Sequence, residues 1–174
     1  TYNWARIMKK KTNSKKTTIK DTGCCPPFDA AAWQNKTITW KNKLFIRDRV
    51  KTFFYMPLNF TRVMTRMFNA VTKTGGRFMD GLVLSDHTSF WNMDIYAAID
   101  KRIRGQENVT LYGKFFTRVY EGSHNETGEW AKDFDAYTKS KKMKVKKLYM
   151  WYTTCPECAT TYGKNYVVFV AQID

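Results

Sequence analysis

Two stretches of helical periodicity, about 65 residues apart, constrain this chain more than any other feature. In residues 60–74, Phe60, Val63, Met64, Met67, Phe68 and Val71 recur at three- and four-residue spacing, as on a helix with one apolar stripe. Pro57 and Asn59 open this stretch and Gly75-Gly76 ends it. In residues 125–139, Trp130, Phe134 and Tyr137 share a stripe, with Ser123 or Asn125 as the capping residue. A strand-like run precedes each stretch ("RVKTFFYM"; residues 110–122) and two follow it (81–86 and 93–101; 145–153 and 166–173). The order strand–helix–strand–strand therefore occurs twice, as a repeat of elements with few letters in common. It predicts an α+β fold: tandem modules pooling their strands in one antiparallel sheet, two helices packed on one side, and a ligand cleft between the halves.

The expected organisation is a basic flexible arm (1–20), a Cys/Pro-containing segment (21–43) and a domain over 44–174, whose pseudo-repeats cover about 44–105 and 106–174. With 43% hydrophobic residues the chain is no disordered tail. The net charge of +15 invites a nucleic-acid reading. Apart from "KKKTNSKKTTIK" and "KSKKMKVKK" the positive residues are spread thinly, so a basic solvated surface is favoured over a nucleic-acid groove. No apolar stretch reaches the roughly 18 residues that span a bilayer, and no signal-peptide core is visible. A soluble, cytoplasmic protein with no membrane partner is expected.

Candidate chemistry falls into four groups. Cys24 and Cys25 are adjacent, and Cys155 and Cys158 form a Cys-Pro-Glu-Cys pair. Together they offer a structural zinc site, although a Cys-Cys dipeptide is an awkward half-site. Plain thiols beside a hairpin loop, a disulfide and a reactive thiol are the alternatives; a thioredoxin-type pair lacks its βαβ context. Among carboxylates, Glu121 ends a strand beside a glycine, and Asp86 and Asp94 flank the loop "HTSFWN". Glu121 and then Asp94 are the candidates for an acid or base poised at a pocket. His87 beside Asp86 offers a proton pair, with a surface histidine as the plain reading. Nucleophile-elbow, phosphate-loop and dinucleotide fingerprints are absent. Aromatics reach 16% of the chain. Tyr55, Trp91, Tyr96, Trp130, Tyr149, Trp151 and Tyr166 are the candidate ligand-binding set, with core packing the alternative for each.

The double module resembles the gyrase-inhibitor-like (GyrI-like) small-molecule-binding fold, which also forms effector domains of multidrug-sensing regulators and is similar to the SOUL haem-binding domain. "KFFTRVYEGSHNETGEW", "LYMWYTTCP" and "FFYMPLNFTRVMTRMFNAV" carry the resemblance. The chain also looks like a group of bacterial proteins that share "CCPPFD", "LSD…S.W..D.Y" and "YTTCP.CA..YGKNYVV", some of them labelled hydrolases. The resemblance implies a small-molecule-binding protein that sequesters a toxin or drug. A hydrolase that opens strained cyclopropane-bearing molecules with water is the alternative, and a charge-driven nucleic-acid-binding protein the third. Ligand-binding members often hold a cation with a buried Glu; Lys146 and Lys147 occupy that neighbourhood here. An acidic or neutral aromatic ligand therefore fits better than an organic cation, provided that Lys147 points inward.

Overall fold

The computed structural model describes Thr22 and residues 25–174; the expected arm and Cys24 lie outside them. The elements are α1 (Ala30–Trp33), β1 (Lys36–Phe53), β2 (Met56–Pro57), α2 (Phe60–Lys73), β3 (Phe78–Asp86), β4 (Asn92–Ile99), β5 (Glu107–Glu121), α3 (Thr127–Ser140), β6 (Val145–Tyr152), α4 (Pro156–Tyr162) and β7 (Tyr166–Ile173). A single 3-10 turn, His124–Glu126, leads into α3. Apart from the two-residue β2 and the short helices α1 and α4, the order is β–α–β–β twice over, so the repeated pattern is real.

All pairings are antiparallel, in the order β2-β1-β4-β3-β6-β7-β5. An additional pairing of β1 with β5 closes β1, β4, β3, β6, β7 and β5 into a barrel. Within the halves the sheets are β1-β4-β3 and β5-β7-β6. They join through β1–β5 and through a short contact in which Leu84 faces Trp151 and Ser85 faces Met150.

Alternation along each strand then divides the side chains between the inside of the barrel and its outer surface. Inward residues form one core, with Phe45, Leu82, Leu84, Tyr96, Phe115, Tyr149, Trp151, Val168 and Val170. Outside, Val63, Met67 and Val71 of α2 pack on Ile46, Val50, Met93, Ile95 and Ala97. Trp130 and Phe134 of α3 pack on Phe116, Val167, Phe169 and Ala171. Both periodic helices thus cover the outer surface of the sheet, each over its own half. Among the described residues no helix is long and apolar enough to cross a membrane.

Three elements depart from the sequence reading. β1 begins at Lys36, well before the expected run. A register shift between Trp40 and Lys43 explains the difference. Ile38 and Trp40 face inward before the shift, Phe45 after it, so the period-two pattern changes parity mid-strand. Opposite Trp40 stands Gly113 at φ +107°, backbone that a side chain rarely adopts, and there the two long strands bend together. The loop expected after β6 contains α4, with Cys155 as N-cap, Pro156 in its first turn and left-handed Gly163 ending it. Seven residues with no apolar stripe carry no periodic signal. Finally, Asp29 caps the four-residue α1 just after Pro26-Pro27.

Phe169 is fully buried, with ring centres of Tyr120 and Phe134 at 5.0 and 5.5 Å. Phe169→Ala is expected to cost about 3–5 kcal/mol in denaturant unfolding, whereas Tyr112→Ala, at a 68% exposed position, should stay within about 0.5 kcal/mol of the parent.

Candidate functional site

The inward stripe changes from apolar to charged at one end of the barrel. On β1, Arg47 and Arg49 follow Phe45 at two-residue steps; on β3, Asp86 follows Leu84; on β4, Asp94 precedes Tyr96; on β6, Lys147 precedes Tyr149. Asp86 and Asp94 are paired positions of the β3–β4 hairpin, a placement that repels unless each carboxylate has a cation. Each has one. Lys147 Nζ lies 2.7 Å from Asp86. Arg49 donates to Asp94 from Nε at 2.7 Å and from Nη2 at 3.4 Å. Arg47 Nε lies 3.7 Å from Asp94 and 3.4 Å from Glu107.

Under these pairs, Tyr96 and Tyr149 meet edge to face at 5.6 Å, both buried. Lys147 lies 5.3 Å from the Tyr149 ring centre. Burial works against its ammonium, but the hydrogen bond to Asp86, with Tyr149 and Tyr96 nearby, outweighs that and raises its pKa. Arg47 and Arg49 also border an open groove of about 410 Å³, shared with Asp48, Arg66 and residues 105–107. The Lys147 and Arg49 side chains remain 41% and 57% exposed, while those of their carboxylate partners are 13% and 5% exposed. Two long cations therefore close a polar mouth over buried aromatic surface, and both have solvent to swing into.

Elsewhere the inner face is covered by the segment before β1. Trp33 meets Trp151 at 4.9 Å, and Phe28 meets Trp151 at 5.4 Å and Tyr166 at 5.6 Å. Thr117 Oγ1 donates to the Trp33 carbonyl at 2.6 Å, and the Val119 amide donates to Gln34 Oε1 at 2.7 Å.

Of the residues singled out from sequence, Asp94, Tyr96 and Tyr149 come together at the charged mouth. Trp151 and Tyr166 lie under the N-terminal segment. Trp130 belongs to the outer core, stacked on Tyr120 at 5.6 Å. Tyr55 and Trp91 are half-exposed in an aromatic cluster with Phe53, Phe54 and Phe90. Glu121 is a half-exposed carboxylate 3.7 Å from Lys164. It ends the strand that Glu107 begins beside Arg47, and fourteen strand steps amount to roughly 45 Å. Glu121 and Asp94 therefore do not share a site. Asp86 and His87 point to opposite faces: Asp86 inward, and His87 toward Tyr152, with Nε2 3.3 Å from its hydroxyl. Burial lowers the His87 pKa, and its buried Nδ1 has no hydrogen-bond partner among the described residues. Arg47 and Arg49 escaped the sequence reading; their signal is an alternation with Phe45 that the upstream bulge obscures.

The cysteines come together. The sulfurs of Cys25, Cys155 and Cys158 lie within 4.8 Å of one another, donors that can hold a metal ion. Burial opposes the Cys158 thiolate, but hydrogen bonds from Thr22, Cys155 and Cys25 outweigh it and lower its pKa.

A closed barrel of two β–α–β–β modules, with a charged inner mouth over buried tyrosines, is an α+β architecture. Structural comparison agrees at the level of the fold. The EcmrR C-terminal domain superposes with a TM-score of 0.63 at 7% identity, over 81% of this chain and 97% of that one. A hydrolase from Listeria innocua gives 0.58 at 9% identity, over 82% and 92%. An uncharacterized conserved protein from Listeria innocua gives 0.60 at 8% identity, over 82% and 93%. None of the curated proteins matches the chain in sequence. The family model described as bacterial hydrolase matches residues 15–173, and the chain belongs to that family.

Burial pushes the phenols of Tyr149 and Tyr152 up to about 12, against about 10 in an unfolded chain. A raised folded-state pKa contributes stability that is complete below about pH 10 and lost as pH climbs toward 12. Unfolding midpoints should therefore fall over that window, and the fall should be shallower in Tyr149→Phe and Tyr152→Phe, with tyrosinate absorbance tracking the transition.

Proposed function

We propose that the protein binds a small aromatic molecule, neutral or anionic, at the charged mouth of the barrel. The observation that carries this reading is the pair of ion pairs, Lys147–Asp86 and Arg49–Asp94, closing over Tyr96 and Tyr149. An incoming carboxylate or polar oxygen replaces one bond of Lys147 or Arg49 while its ring takes up tyrosine surface. Three cations, Arg47, Arg49 and Lys147, face two inner carboxylates. An organic cation would meet carboxylates that are already paired, and would have to displace a lysine or arginine to reach them. Sequestration of a toxic or reactive compound is the simplest role for such a site.

Membership of the bacterial hydrolase family favours a second reading on the same site, the hydrolysis of a bound electrophile. Asp94 accepts a proton from water as the water oxygen bonds to the electrophilic carbon. The Lys147 ammonium or the Tyr149 hydroxyl returns a proton to the atom released. For a strained ring, one water is consumed and one ring bond opens, with a single product.

Both readings are tested by titrating the protein's aromatic fluorescence with naphthalene carboxylates, uncharged naphthalenes and aromatic quaternary ammonium ions. Saturable binding of the first two classes is expected, with Lys147→Ala weakening the carboxylate at least about tenfold and the neutral probe far less. A preference for the cation, or no effect of Lys147→Ala, overturns the assignment. Incubation with a cyclopropane-bearing alkylator then separates the readings. Turnover appears as a product heavier by one water that Asp94→Asn abolishes while retaining binding.

A further inference from the structure

The cysteine cluster lies away from the charged mouth and plays no part in its chemistry. Its geometry is specific. Cys155 occupies the N-cap of α4, and its sulfur accepts from the Cys158 amide at 3.5 Å. The sulfur of Cys25 accepts from the Cys155 amide at 3.3 Å. Two amides of the Cys-Pro-Glu-Cys turn thus point at the sulfurs of Cys155 and Cys25, where they stabilise thiolate charge. Cys25 itself arrives from 130 residues away along the chain. Thr22 Oγ1 lies 3.2 Å from the Cys158 sulfur. The Tyr162 hydroxyl donates to the Cys25 carbonyl, and Thr22 Oγ1 lies 2.9 Å from that hydroxyl. The turn thus has hydrogen-bonding groups around its sulfurs as well as the sulfurs themselves.

We propose that Cys25, Cys155 and Cys158 are three thiolate ligands of a structural zinc ion that fastens the N-terminal segment to the β6–β7 connection. Tetrahedral zinc at about 2.3 Å from each sulfur sets sulfurs about 3.8 Å apart. The three already lie within 4.8 Å of one another, so small side-chain rotations complete the site. A donor set rich in thiolate selects zinc over calcium, magnesium or manganese, which take oxygen ligands. One tetrahedral position remains for a fourth donor.

The site has a mechanical consequence. Three residues after Cys25, Phe28 packs on Trp151 and Tyr166, and Trp33 follows against Trp151. Metal at the cysteines holds this aromatic cover on the barrel by closing a very long loop. Loss of the metal releases the cover and bares Trp151 and Tyr166.

The test uses the full chain purified with zinc present. One equivalent of zinc is expected by elemental analysis, and cobalt exchange should give tetrahedral bands with thiolate charge-transfer absorption scaling to at least three sulfurs. Cys155→Ser and Cys158→Ser should each lose the metal. Because such variants can misfold, the parent protein is also stripped with a chelator. Chymotryptic cleavage after Phe28 and Trp33 should then rise at least tenfold and return to its starting rate on adding one equivalent of zinc. Two outcomes overturn the proposal: no retained zinc together with no cobalt–thiolate absorption, or an intact mass showing a disulfide between two of these cysteines in freshly isolated protein.

Discussion

The structure depends on β1, which hydrogen-bonds to β4 along one edge and to β5 along the other. Without the second pairing the two modules would form an open sheet with exposed edges, and the inner residues would face solvent. With it, one β–α–β–β unit closes on the other, and the inside of the sheet becomes a core shared by both halves. Eighteen residues give β1 the length to pair on both sides. The bulge after Trp40 and the kink at Gly113 give the two long strands the curvature that closure requires.

Closure also makes charge inside the barrel consequential. An aspartate on the solvated face of a sheet is inexpensive; one facing into a closed barrel needs a partner. Asp86 and Asp94 have theirs in Lys147 and Arg49, cations long enough to reach inward while their stems stay partly in water. The mouth is therefore polar and closed while the layer beneath it is aromatic. The proposed binding of a flat molecule bearing one polar group rests on this arrangement. The elements around it belong to both halves, so the arrangement exists only because the modules have joined.

The aromatic cover over Trp151 and Tyr166 is a large feature that the two modules do not supply. It comes from the segment before β1 and is held by a capped single turn of helix, by hydrogen bonds to Thr117 and Val119, and by the approach of Cys25 to α4. α4 itself is short. Its place is set by a proline at its start and a left-handed glycine at its end more than by any burial stripe.

The two periodic helices, the strands that alternate with them and the order of both were legible in the sequence, because three-to-four-residue and two-residue periods are local properties of the chain. Tyr96, Tyr149 and Asp94 could be picked out as candidates for the same reason: their residue types and strand positions are local facts. Which of the aromatics would meet was not local. Trp130 and Tyr149 are equally prominent in the sequence, yet one lies on α3 and packs on the outside of the barrel and the other faces its interior. Arg47 and Arg49 were hidden by a bulge that reverses inside and outside along β1. Glu121, attractive beside its glycine, stands at the far end of β5 from the charged mouth. The sequence by itself determined the two periodic helices, the strands that alternate with them, their order and most of the residues able to do chemistry, since these follow from spacing and side-chain type. Barrel closure, the pairing of Lys147 with Asp86 and of Arg49 with Asp94, and the meeting of Cys25 with Cys155 and Cys158 were decided by tertiary structure alone, because strand register and long-range packing set distances that no local pattern encodes.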